Sequence, residues 1–340
     1  MKPRILCLCS SWQIATVFRP ETWAELCNVG TVLEAKTDSE AEALLPSCDA
    51  ALTGWGTSFV FTAARLASAP RLRLIAHTAG SVKYLLPEAA ARAEIVRRGA
   101  MVYSGSTAIA VNVAETTIGF MILAMRRWPE LARVFPNERK PGIAQPGDEP
   151  LRNGQFLTGA TIGLVALSTV ARQTLPLLKP FGCRVLAYAP YVSQPEIDEL
   201  EVELTGLDDL FARSDVVSIH LPELPSTRGL IGARQLSLLR DGAALVNTAR
   251  GAVLDHDALL AECKTGRISV ALDVTEPEPL PADSPFWNLP NVFLTPHIAA
   301  MGHAGLFQIG SGALAAVRHL ADGSPAPQGM VQMDRWEVIA

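Results

Sequence analysis

Short apolar runs alternate with amphipathic segments along most of this chain. Near its start, the runs with the length and composition of β-strands are RILCLC, GTVLEA, DAALTG, LRLIAHT and AMVYSG. The segments PETWAELC and SEAEALL lie between them and have helical spacing. This alternation is typical of α/β layers built on a parallel sheet.

A second α/β series follows a long apolar segment, Val111 to Trp128, which predicts one helix. Its wide apolar face favours packing between domains or between subunits. The polar segment PNERKPGIAQPGDEP then predicts a loop. The strands expected after it are ATIGLVAL, CRVLAYA, SDVVSIHLP, AALVNTA and ISVALDV. The chain therefore divides into two lobes near Ser104 to Asn112. The segment MGHAGLFQIGSGALAAVRHLADG predicts a helix, and its pattern does not indicate to which of the two lobes this helix belongs.

Composition narrows the class of protein. The chain has 340 residues, 49% of them hydrophobic and 19% charged, which is enough to build two cores. A net charge of −5 argues against nucleic acid as a partner. No apolar run is expected to reach the roughly 20 residues of a membrane span, and the run after MKPR is too short for a signal peptide. We therefore expect a cytoplasmic protein with no membrane partner.

The six cysteines are spread along the chain. Cys7 and Cys9 share one face of a predicted strand, but no further ligands lie near them in the sequence to complete a metal site. We expect buried, reduced thiols and no metal.

The segment GLVALSTVAR occupies the place where a dinucleotide-binding fold has G-x-G-x-x-G. Its three glycine positions hold Ala166, Ser168 and Ala171. Ala166 is expected to be strained by about 1 kcal/mol if the turn needs a positive φ. Ser168 intrudes where a phosphate would lie, and Pro176 is unfavourable in the helix that follows, outside a first turn or a kink. By itself the segment is only weak support for a dinucleotide-binding site.

Four later segments carry a specific resemblance: SDVVSIHLPELPSTRGLIG, GAALVNTARGAVLDHDALL, ALDVTEPEPLP and PNVFLTPHIA. Over roughly residues 70 to 320 the chain resembles the D-isomer-specific 2-hydroxyacid dehydrogenases. The resemblance implies a flavodoxin-like substrate lobe (residues 1–106 and 301–340) and a Rossmann-like dinucleotide-binding lobe (107–300). It also implies a homodimer formed through the long helix. The implied reaction transfers a hydride between a nicotinamide cofactor, in the cleft between the lobes, and a 2-keto or D-2-hydroxy acid.

Three ionisable residues match the catalytic set of that family. Arg250 in NTARG corresponds to the arginine that grips the substrate carboxylate with its planar fork. His297 in TPHIA corresponds to the acid/base that exchanges a proton with the C2 oxygen. Glu278 corresponds to the carboxylate paired with the imidazole, since the pattern D-V-x-x-x-E-P selects it over Glu276.

The resemblance also assigns binding residues. The cofactor contacts that it implies are Ser168, Thr169, Val170, Arg172, Leu221, Pro222, Thr248, Ala249 and Asp273. Among these, Arg172 corresponds to a residue that faces the pyrophosphate, and Asp273 to a contact with the nicotinamide carboxamide. Backbone N–H groups of Ala79, Gly80 and Ser81 correspond to the nest that receives the substrate carboxylate. We interpret His220, which aligns beside the adenine, as structural.

Departures from the family pattern leave two hypotheses open. Ala189 replaces the acid expected to bind the ribose 2′-hydroxyl of NAD, and no Arg or Lys follows in PYVSQP to bind the 2′-phosphate of NADP. This segment therefore does not distinguish between NAD and NADP as the cofactor. In addition, ISVALDV is one residue short, and AMG (300–302) replaces the common Gly-Ser-Thr. The first hypothesis is an NAD(P)-dependent 2-keto acid reductase, favoured by the intact catalytic set. The alternative is a cofactor-impaired relative that binds a ligand or partner without turnover, favoured by the missing glycines. Formate dehydrogenase activity is disfavoured, because those relatives have Gln at the position of Glu278.

Overall fold

In the computed structural model, residues 2–138 and 154–338 are described, and the chain forms two compact units. Unit 1 comprises residues Met1–Ala110 and Met301–Ala340, and unit 2 comprises Val111–Ala300. The division implied by the family resemblance, at residue 106, falls at the start of the helix Ser106–Met125, and unit 2 begins five residues later, at Val111 of that helix.

Unit 1 contains a five-stranded parallel sheet with the strand order β2-β1-β3-β4-β5. Its strands are β1 Arg4–Cys7, β2 Thr31–Glu34, β3 Ala50–Thr53, β4 Leu74–His77 and β5 Met101–Ser104. This is the flavodoxin-like order, in which the chain reverses direction across the sheet between β1 and β3. The five strands predicted from apolar runs are all present, and the predicted fold class of this lobe is confirmed.

Helices cover the sheet of unit 1 on its two faces, because its strands are buried and apolar. They are α1 Ser11–Val17, α2 Pro20–Val29, α3 Asp38–Leu44, α4 Ala63–Ser68 and α5 Ala89–Arg98. Side-chain caps begin several of them: Ser10 and Gln13 form a reciprocal capping box at α1, and Thr37 caps α3.

Unit 2 contains a seven-stranded parallel sheet with the order β12-β11-β10-β9-β6-β7-β8. Its strands are β6 Thr161–Val165, β7 Arg184–Tyr188, β8 Glu203–Leu204, β9 Val216–Ile219, β10 Ala244–Asn247, β11 Ser269–Leu272 and β12 Val292–Leu294. The Rossmann-like sheet is confirmed. The strands β8 and β12 were not expected, because each is only two or three residues long and has no extended apolar run.

Helix α6, Ser106–Met125, begins in unit 1 and continues into unit 2. The other helices of unit 2 are α7 Trp128–Glu138, α8 Thr169–Leu178, α9 Gln194–Leu200, α10 Leu207–Arg213, α11 Ala233–Leu238 and α12 His256–Lys264. The prediction of one helix from Val111 to Trp128 is wrong at both ends. Helix α6 starts five residues earlier than predicted and ends at Met125. Arg127 has a φ of 55°, which interrupts the helical conformation before α7. The first residues of the predicted loop 136–150 belong to α7, and the rest of that loop lies outside the described residues.

Helix α6 also corrects the expectation that no apolar run reaches the length of a membrane span. By length and composition alone this helix, 20 residues long, is apolar enough to cross a bilayer. The core helix of a soluble protein passes the same test, and Phe120, Met121 and Met125 of α6 pack into a hydrophobic cluster of unit 2.

The C-terminal helix, α13 His303–Asp322, packs in unit 1 against α1, α2 and β4. Two glycines permit the close approach. A Cβ at Gly310 would overlap the Val17 carbonyl oxygen, and one at Gly312 would overlap the Tyr103 hydroxyl. The segment that the sequence assigned to either lobe thus belongs to unit 1.

The thiols are less uniformly buried than expected. Cys7, Cys9, Cys48 and Cys263 are buried, but Cys27 is exposed and Cys183 is half-buried, so the expectation is wrong for these two. All six are free. Burial raises the pKa of Cys263 to about 12, so this thiol is a packing group rather than a nucleophile.

Two histidines are buried without charged partners, His77 at the end of β4 and His220 directly after β9. Burial lowers the pKa of each to about 4, because the charged imidazole loses its hydration. The unfolded chain binds these protons at a pKa near 6.5. Between these two values the unfolded state binds more protons than the folded one, so stability is lost as the pH falls from 6.5 towards 4.

We therefore expect the free energy of unfolding to drop by about 2 kcal/mol per buried histidine between pH 7 and pH 5. Urea unfolding followed by tryptophan fluorescence at the two pH values measures this loss. In His220→Gln the loss should be smaller than in the wild type, whereas His319→Gln serves as the matched control. An identical loss in wild type and His220→Gln would contradict the assignment.

Candidate active site

The pair His297 and Glu278 lies in the loops at the carboxyl end of the sheet of unit 2. Glu278 belongs to the loop after β11, and His297 follows β12. The imidazole Nδ1 is 2.6 Å from Glu278 Oε1, and both side chains are about half exposed. This contact orients the ring and leaves Nε2 as the nitrogen to exchange a proton with a ligand.

A buried carboxylate, Asp273, holds the loop that carries His297. Its Oδ1 accepts hydrogen bonds from Thr295 Oγ1 at 2.6 Å and from the Ile298 N–H at 2.8 Å, and its Oδ2 accepts one from the Ala299 N–H at 2.8 Å. The His297 N–H donates to the Asp273 carbonyl at 2.9 Å. These bonds maintain His297 at φ 55°, a left-handed conformation that costs a residue with a Cβ about 1–2 kcal/mol.

Asp273 thus has a use that the sequence did not reveal. The predicted contact with the nicotinamide carboxamide stays a prediction, and in the structure both carboxylate oxygens bind the His297 loop. Hydrogen bonds to an ionised, buried carboxylate are among the stronger ones in proteins.

Helix α6 holds the same loop from the other side. Thr116 Oγ1 donates to the Ala299 carbonyl at 2.9 Å, and Asn112 Nδ2 donates to the Ala300 carbonyl at 3.0 Å. Sequence reasoning missed both residues. The available signal was two polar side chains four residues apart, hence on one face of a largely apolar helix.

Arg250 lies in the turn after β10, and its backbone is fixed by Asn247. Asn247 Nδ2 donates to the Arg250 carbonyl at 2.9 Å, and Asn247 Oδ1 accepts from the Ala249 N–H at 3.0 Å. The Arg250 side chain is half-buried, and its Nη1 donates to the Ala249 carbonyl at 2.6 Å. Burial lowers the pKa of Arg250, whereas the charges of Glu223 and Glu278 raise it. An arginine retains its charge under these conditions, so the site keeps a half-buried cation.

Gly251 explains the glycine of NTARG. A Cβ at this position would overlap the carbonyl group of Thr275 and approach the Glu276 nitrogen at 2.8 Å. The turn carrying Arg250 therefore packs directly on the loop that leads to Glu278. The structure brings Arg250, Glu278 and His297 together in unit 2. The resemblance assigns these three residues to one catalytic set, and their roles stay predictions.

An ion-pair chain that the sequence did not indicate borders Arg250. Glu223 pairs with Arg228, which also approaches Glu276 at 3.2 Å. The Glu276 N–H donates to His256 Nε2 at 3.1 Å. Because these side chains are about half exposed, the pairs contribute little to stability, but they place negative charge beside Arg250.

The segment GLVALSTVAR forms the turn between β6 and α8. Ala166 has φ 79°, the strained conformation expected if the turn needs a positive φ. Ser168 is the N-cap of α8, and its Oγ accepts from the Ala171 N–H at 3.4 Å. In a helix the first N–H groups, here those of Thr169 and Val170, have no intrahelical acceptor, and this end of the helix favours an anion. The predicted contacts of Ser168, Thr169 and Val170 with a pyrophosphate stay predictions.

Arg172 is engaged by the protein. Its Nε donates to the Leu167 carbonyl at 3.0 Å, and its Nη2 lies 2.8 Å from Glu196. Its predicted contact with pyrophosphate thus competes with Glu196. Pro176 lies inside α8 and not in its first turn, where a proline would be tolerated. The helix ends two residues later, so the destabilisation by the proline is limited to the last turn.

The other predicted cofactor residues lie at the carboxyl ends of β9 and β10. Leu221 is buried in a hydrophobic cluster, and the Pro222 carbonyl accepts from Thr227 Oγ1 at 2.6 Å. Thr248 is buried and its hydroxyl is 2.9 Å from that of Thr117, while the Ala249 N–H binds Asn247. No hydrogen-bond partner for the buried His220 Nε2 lies in the described part of the chain.

The predicted carboxylate nest lies in unit 1, directly after β4. Within residues 2–138 and 154–338, nothing accepts a hydrogen bond from the N–H groups of Ala79, Gly80 or Ser81. The Gly80 carbonyl accepts from Ser104 Oγ at 2.6 Å, which orients the loop. A Cβ built on Gly80 would meet no atom within 4 Å, so this residue borders open space.

Comparison with known proteins identifies the family of this chain. Residues 118–299 match the family described as D-isomer specific 2-hydroxyacid dehydrogenase, NAD binding domain. A D-3-phosphoglycerate dehydrogenase of Archaeoglobus fulgidus is 34% identical over 233 residues, which cover 67% of this chain and 42% of that protein. A hydroxypyruvate reductase of Thermotoga maritima is 37% identical over 207 residues, 60% of this chain and 64% of that protein. A solved phosphoglycerate oxidoreductase from Rhizobium etli superposes with a TM-score of 0.81 at 23% identity, covering 98% of this chain and 99% of that one.

The family match covers more than half of the chain, and the chain belongs to the D-isomer-specific 2-hydroxyacid dehydrogenases. Its middle part is an NAD(P)-binding domain of that family. The chain spans about half the length of the D-3-phosphoglycerate dehydrogenases that it matches.

The Asp273 contacts generate a prediction. Asp273→Asn keeps the Oδ1 acceptor but presents an NH₂ group to the Ala299 N–H, so one buried donor loses its partner and a buried charge is removed. We expect a loss of about 2–4 kcal/mol in the free energy of unfolding, measured by urea titration. Asp283→Asn, in an exposed position of the neighbouring loop, is the matched control and should change it by less than about 0.5 kcal/mol. Equal stabilities of the two variants would show that the Asp273 carboxylate does not stabilise the His297 loop.

Proposed function

We propose that this chain is an NAD(P)-dependent D-2-hydroxyacid dehydrogenase that works in practice as a 2-keto acid reductase. The observation that carries the proposal is the contact of 2.6 Å between His297 Nδ1 and Glu278 Oε1, within the electrostatic reach of the half-buried Arg250. A chain without catalytic activity has no physical reason to keep an imidazole, its carboxylate partner and a half-buried cation in one place.

Each of these groups has one task in the proposed reduction. Arg250 binds the substrate carboxylate in a bidentate manner and polarises the keto oxygen. The bound nicotinamide supplies the hydride that reaches C2. His297 gives the proton on Nε2 to the C2 oxygen, and Glu278 stabilises the imidazolium and fixes its orientation. In the oxidation direction the same nitrogen receives the proton.

The residues that would hold the cofactor are those of the β6–α8 turn. Ser168, Thr169 and Val170 present the helix N-terminus to the pyrophosphate, and Arg172 supplies positive charge when it exchanges Glu196 for phosphate. Ala189, at the end of β7, offers the ribose neither acid nor base, so NAD and NADP remain alternatives.

The second candidate function is binding without turnover. It is favoured by the hydroxyl of Ser168, which is used as a helix cap, and by the pairing of Arg172 with Glu196. Both features weaken the cofactor site without affecting Arg250, and they define the experiment that separates the two candidates.

The expected partners are a small 2-keto or 2-hydroxy acid and a second copy of the chain. We propose a homodimer in which α6 takes part, supported by its apolar composition and by the exposed Val111. A cytoplasmic location, without nucleic acid or membrane partners, completes the proposal and rests on composition alone.

The first test concerns proton transfer. His297→Gln removes the acid/base and should lower kcat for keto acid reduction at least about a hundredfold. Binding of NADH, followed by its fluorescence, should be unchanged, which shows that the variant is folded. His256→Gln is the matched control, because this histidine is hydrogen-bonded in the neighbouring loop. A kcat within a few fold of the wild type would remove His297 from the mechanism.

The second test concerns the cofactor turn. Ser168→Gly removes the Cβ at little cost to the helix cap, so NADH and NADPH should bind more tightly, whereas Ser168→Ala loses the cap and should gain nothing. Glu196→Gln releases Arg172 and should also tighten binding, by about tenfold. Titrations of nicotinamide fluorescence measure all three variants. If the wild type and these variants bind neither cofactor at millimolar concentration, the binding-protein candidate replaces the reductase.

A further inference from the structure

The carboxyl end of β7 lacks the acid that a dinucleotide-binding fold places there to bind the adenosine ribose. Ala189 occupies this position. In the structure Ala189 is buried in a hydrophobic cluster that also contains Leu167 and Ala171 of the β6–α8 segment and Ile197 of α9. Its methyl group therefore belongs to the core of unit 2. A side chain that binds the ribose must come from another position.

An ion pair joins the β6–α8 turn to the start of α9. Arg172 Nε donates to the Leu167 carbonyl at 3.0 Å, so the guanidinium lies against the turn. Its Nη2 is 2.8 Å from Glu196 Oε1. The side chains of Arg172 and Glu196 are 29% and 35% exposed, so a ligand can reach both. Glu196, in the first turn of α9, thus presents a carboxylate beside the turn that precedes α8.

The strand order places this pair where the adenosine ribose of a dinucleotide would lie. Strands β6 and β7 are neighbours in the parallel sheet, and the Ala166 N–H donates to the Tyr188 carbonyl at 2.8 Å. The turn before α8 and the end of β7 are thus directly joined. In doubly wound folds the pyrophosphate of a dinucleotide lies at the N-terminus of the first helix, and the ribose lies towards the end of the next strand. Arg172 and Glu196 connect these two places.

The charge around the pair is predominantly negative. Helix α9 contains three acids, Glu196, Asp198 and Glu199, and no lysine or arginine. The segment PYVSQP, which leads into it, adds no cation. A 2′-phosphate carries about two negative charges at neutral pH and would be repelled by these carboxylates. A ribose hydroxyl is uncharged and can donate a hydrogen bond to one of them, so the surroundings favour a free 2′-hydroxyl.

We propose that Glu196 binds the 2′-hydroxyl of the adenosine ribose in place of the missing acid, and that the chain therefore prefers NAD to NADP. The inference rests on the proposed function, because it concerns the cofactor of that reaction. Arg172 is the positioning residue and holds Glu196 at this place before the cofactor binds. When Arg172 exchanges Glu196 for phosphate, the carboxylate loses its partner and the ribose hydroxyl takes over as donor.

The test measures the dissociation constants of NADH and NADPH by nicotinamide fluorescence, and its readout is their ratio. The wild type should bind NADH at least about tenfold more tightly than NADPH. Glu196→Gln keeps an acceptor for the hydroxyl but removes the charge that repels a 2′-phosphate, so the two constants should become equal within about twofold. Because release of Arg172 strengthens the binding of both cofactors, the ratio isolates the effect at the 2′ position.

Glu199→Gln is the matched control, because it removes the same charge from an exposed position of the same helix. Its ratio should stay within about twofold of the wild-type ratio, since solvent and salt screen a charge that does not contact the ligand. Glu196→Asp retains the charge and should retain the preference for NADH. Equal shifts in Glu196→Gln and Glu199→Gln would show that the general field of α9, and not a contact of Glu196, determines the preference.

Three further results would overturn the proposal. One is a wild type that binds NADPH as tightly as NADH, or more tightly. Another is a ratio that Glu196→Gln leaves unchanged. The third is a wild type and a Glu196→Gln variant that bind neither cofactor at millimolar concentration.

Failure of the proposed function would be seen differently, as no reduction of any 2-keto acid by a wild type that binds NADH. In that case calorimetry with AMP and adenosine 2′,5′-bisphosphate tests Glu196 alone, because both probes contain the ribose and neither contains nicotinamide. AMP should bind the wild type at least about fivefold more tightly than the bisphosphate, and both should bind Glu196→Gln equally within about twofold. Equal binding of the two probes to the wild type, or no binding of either, would refute the role of Glu196.

Discussion

The arrangement of the candidate active site depends on one buried carboxylate and the N–H groups around it. Asp273 ends a core strand and binds the hydroxyl of Thr295 and the N–H groups of Ile298 and Ala299. An ionised group is buried only at a high cost unless it is fully hydrogen-bonded, so the carboxylate and the loop require each other. The loop between these contacts carries His297 in a conformation that a residue with a Cβ rarely adopts. Thr116 and Asn112 of α6 add two further bonds and join the loop to the core of unit 2.

Close backbone packing then determines which groups meet. Gly251 lets the turn of Arg250 lie on the backbone of Thr275, and this contact brings the guanidinium towards the loop of Glu278. Ala166 shows the opposite solution at the cofactor turn, where a positive φ is retained without a glycine. Strained residues at the ends of β6 and β12 are maintained by their surroundings, which is common where a backbone must present functional groups.

Charge is distributed unequally between the surroundings of Arg250 and the polar residues at the carboxyl edge of the sheet of unit 1. The half-buried cation of Arg250 is balanced by Glu278 and by the ion-pair chain of Glu223. The cluster of His77, Thr53 and Tyr84 in unit 1 is uncharged, because burial keeps the imidazole and the phenol in their neutral forms.

The sequence by itself predicted the two parallel sheets and the succession of their longer strands along the chain. Its resemblance to the family selected Arg250, Glu278 and His297, whose catalytic roles stay predictions. These features follow from apolar periodicity and from motifs that are contiguous along the chain. It did not determine the ends of α6, the short strands β8 and β12, or the exposure of Cys27, since each of these depends on neighbours distant in sequence. Only the tertiary structure decided that Asp273 binds the His297 loop, that Arg172 pairs with Glu196 and that His77 meets Tyr84. A side chain that forms hydrogen bonds has many possible partners along the chain, and folding selects among them by which ones it brings within about 3 Å.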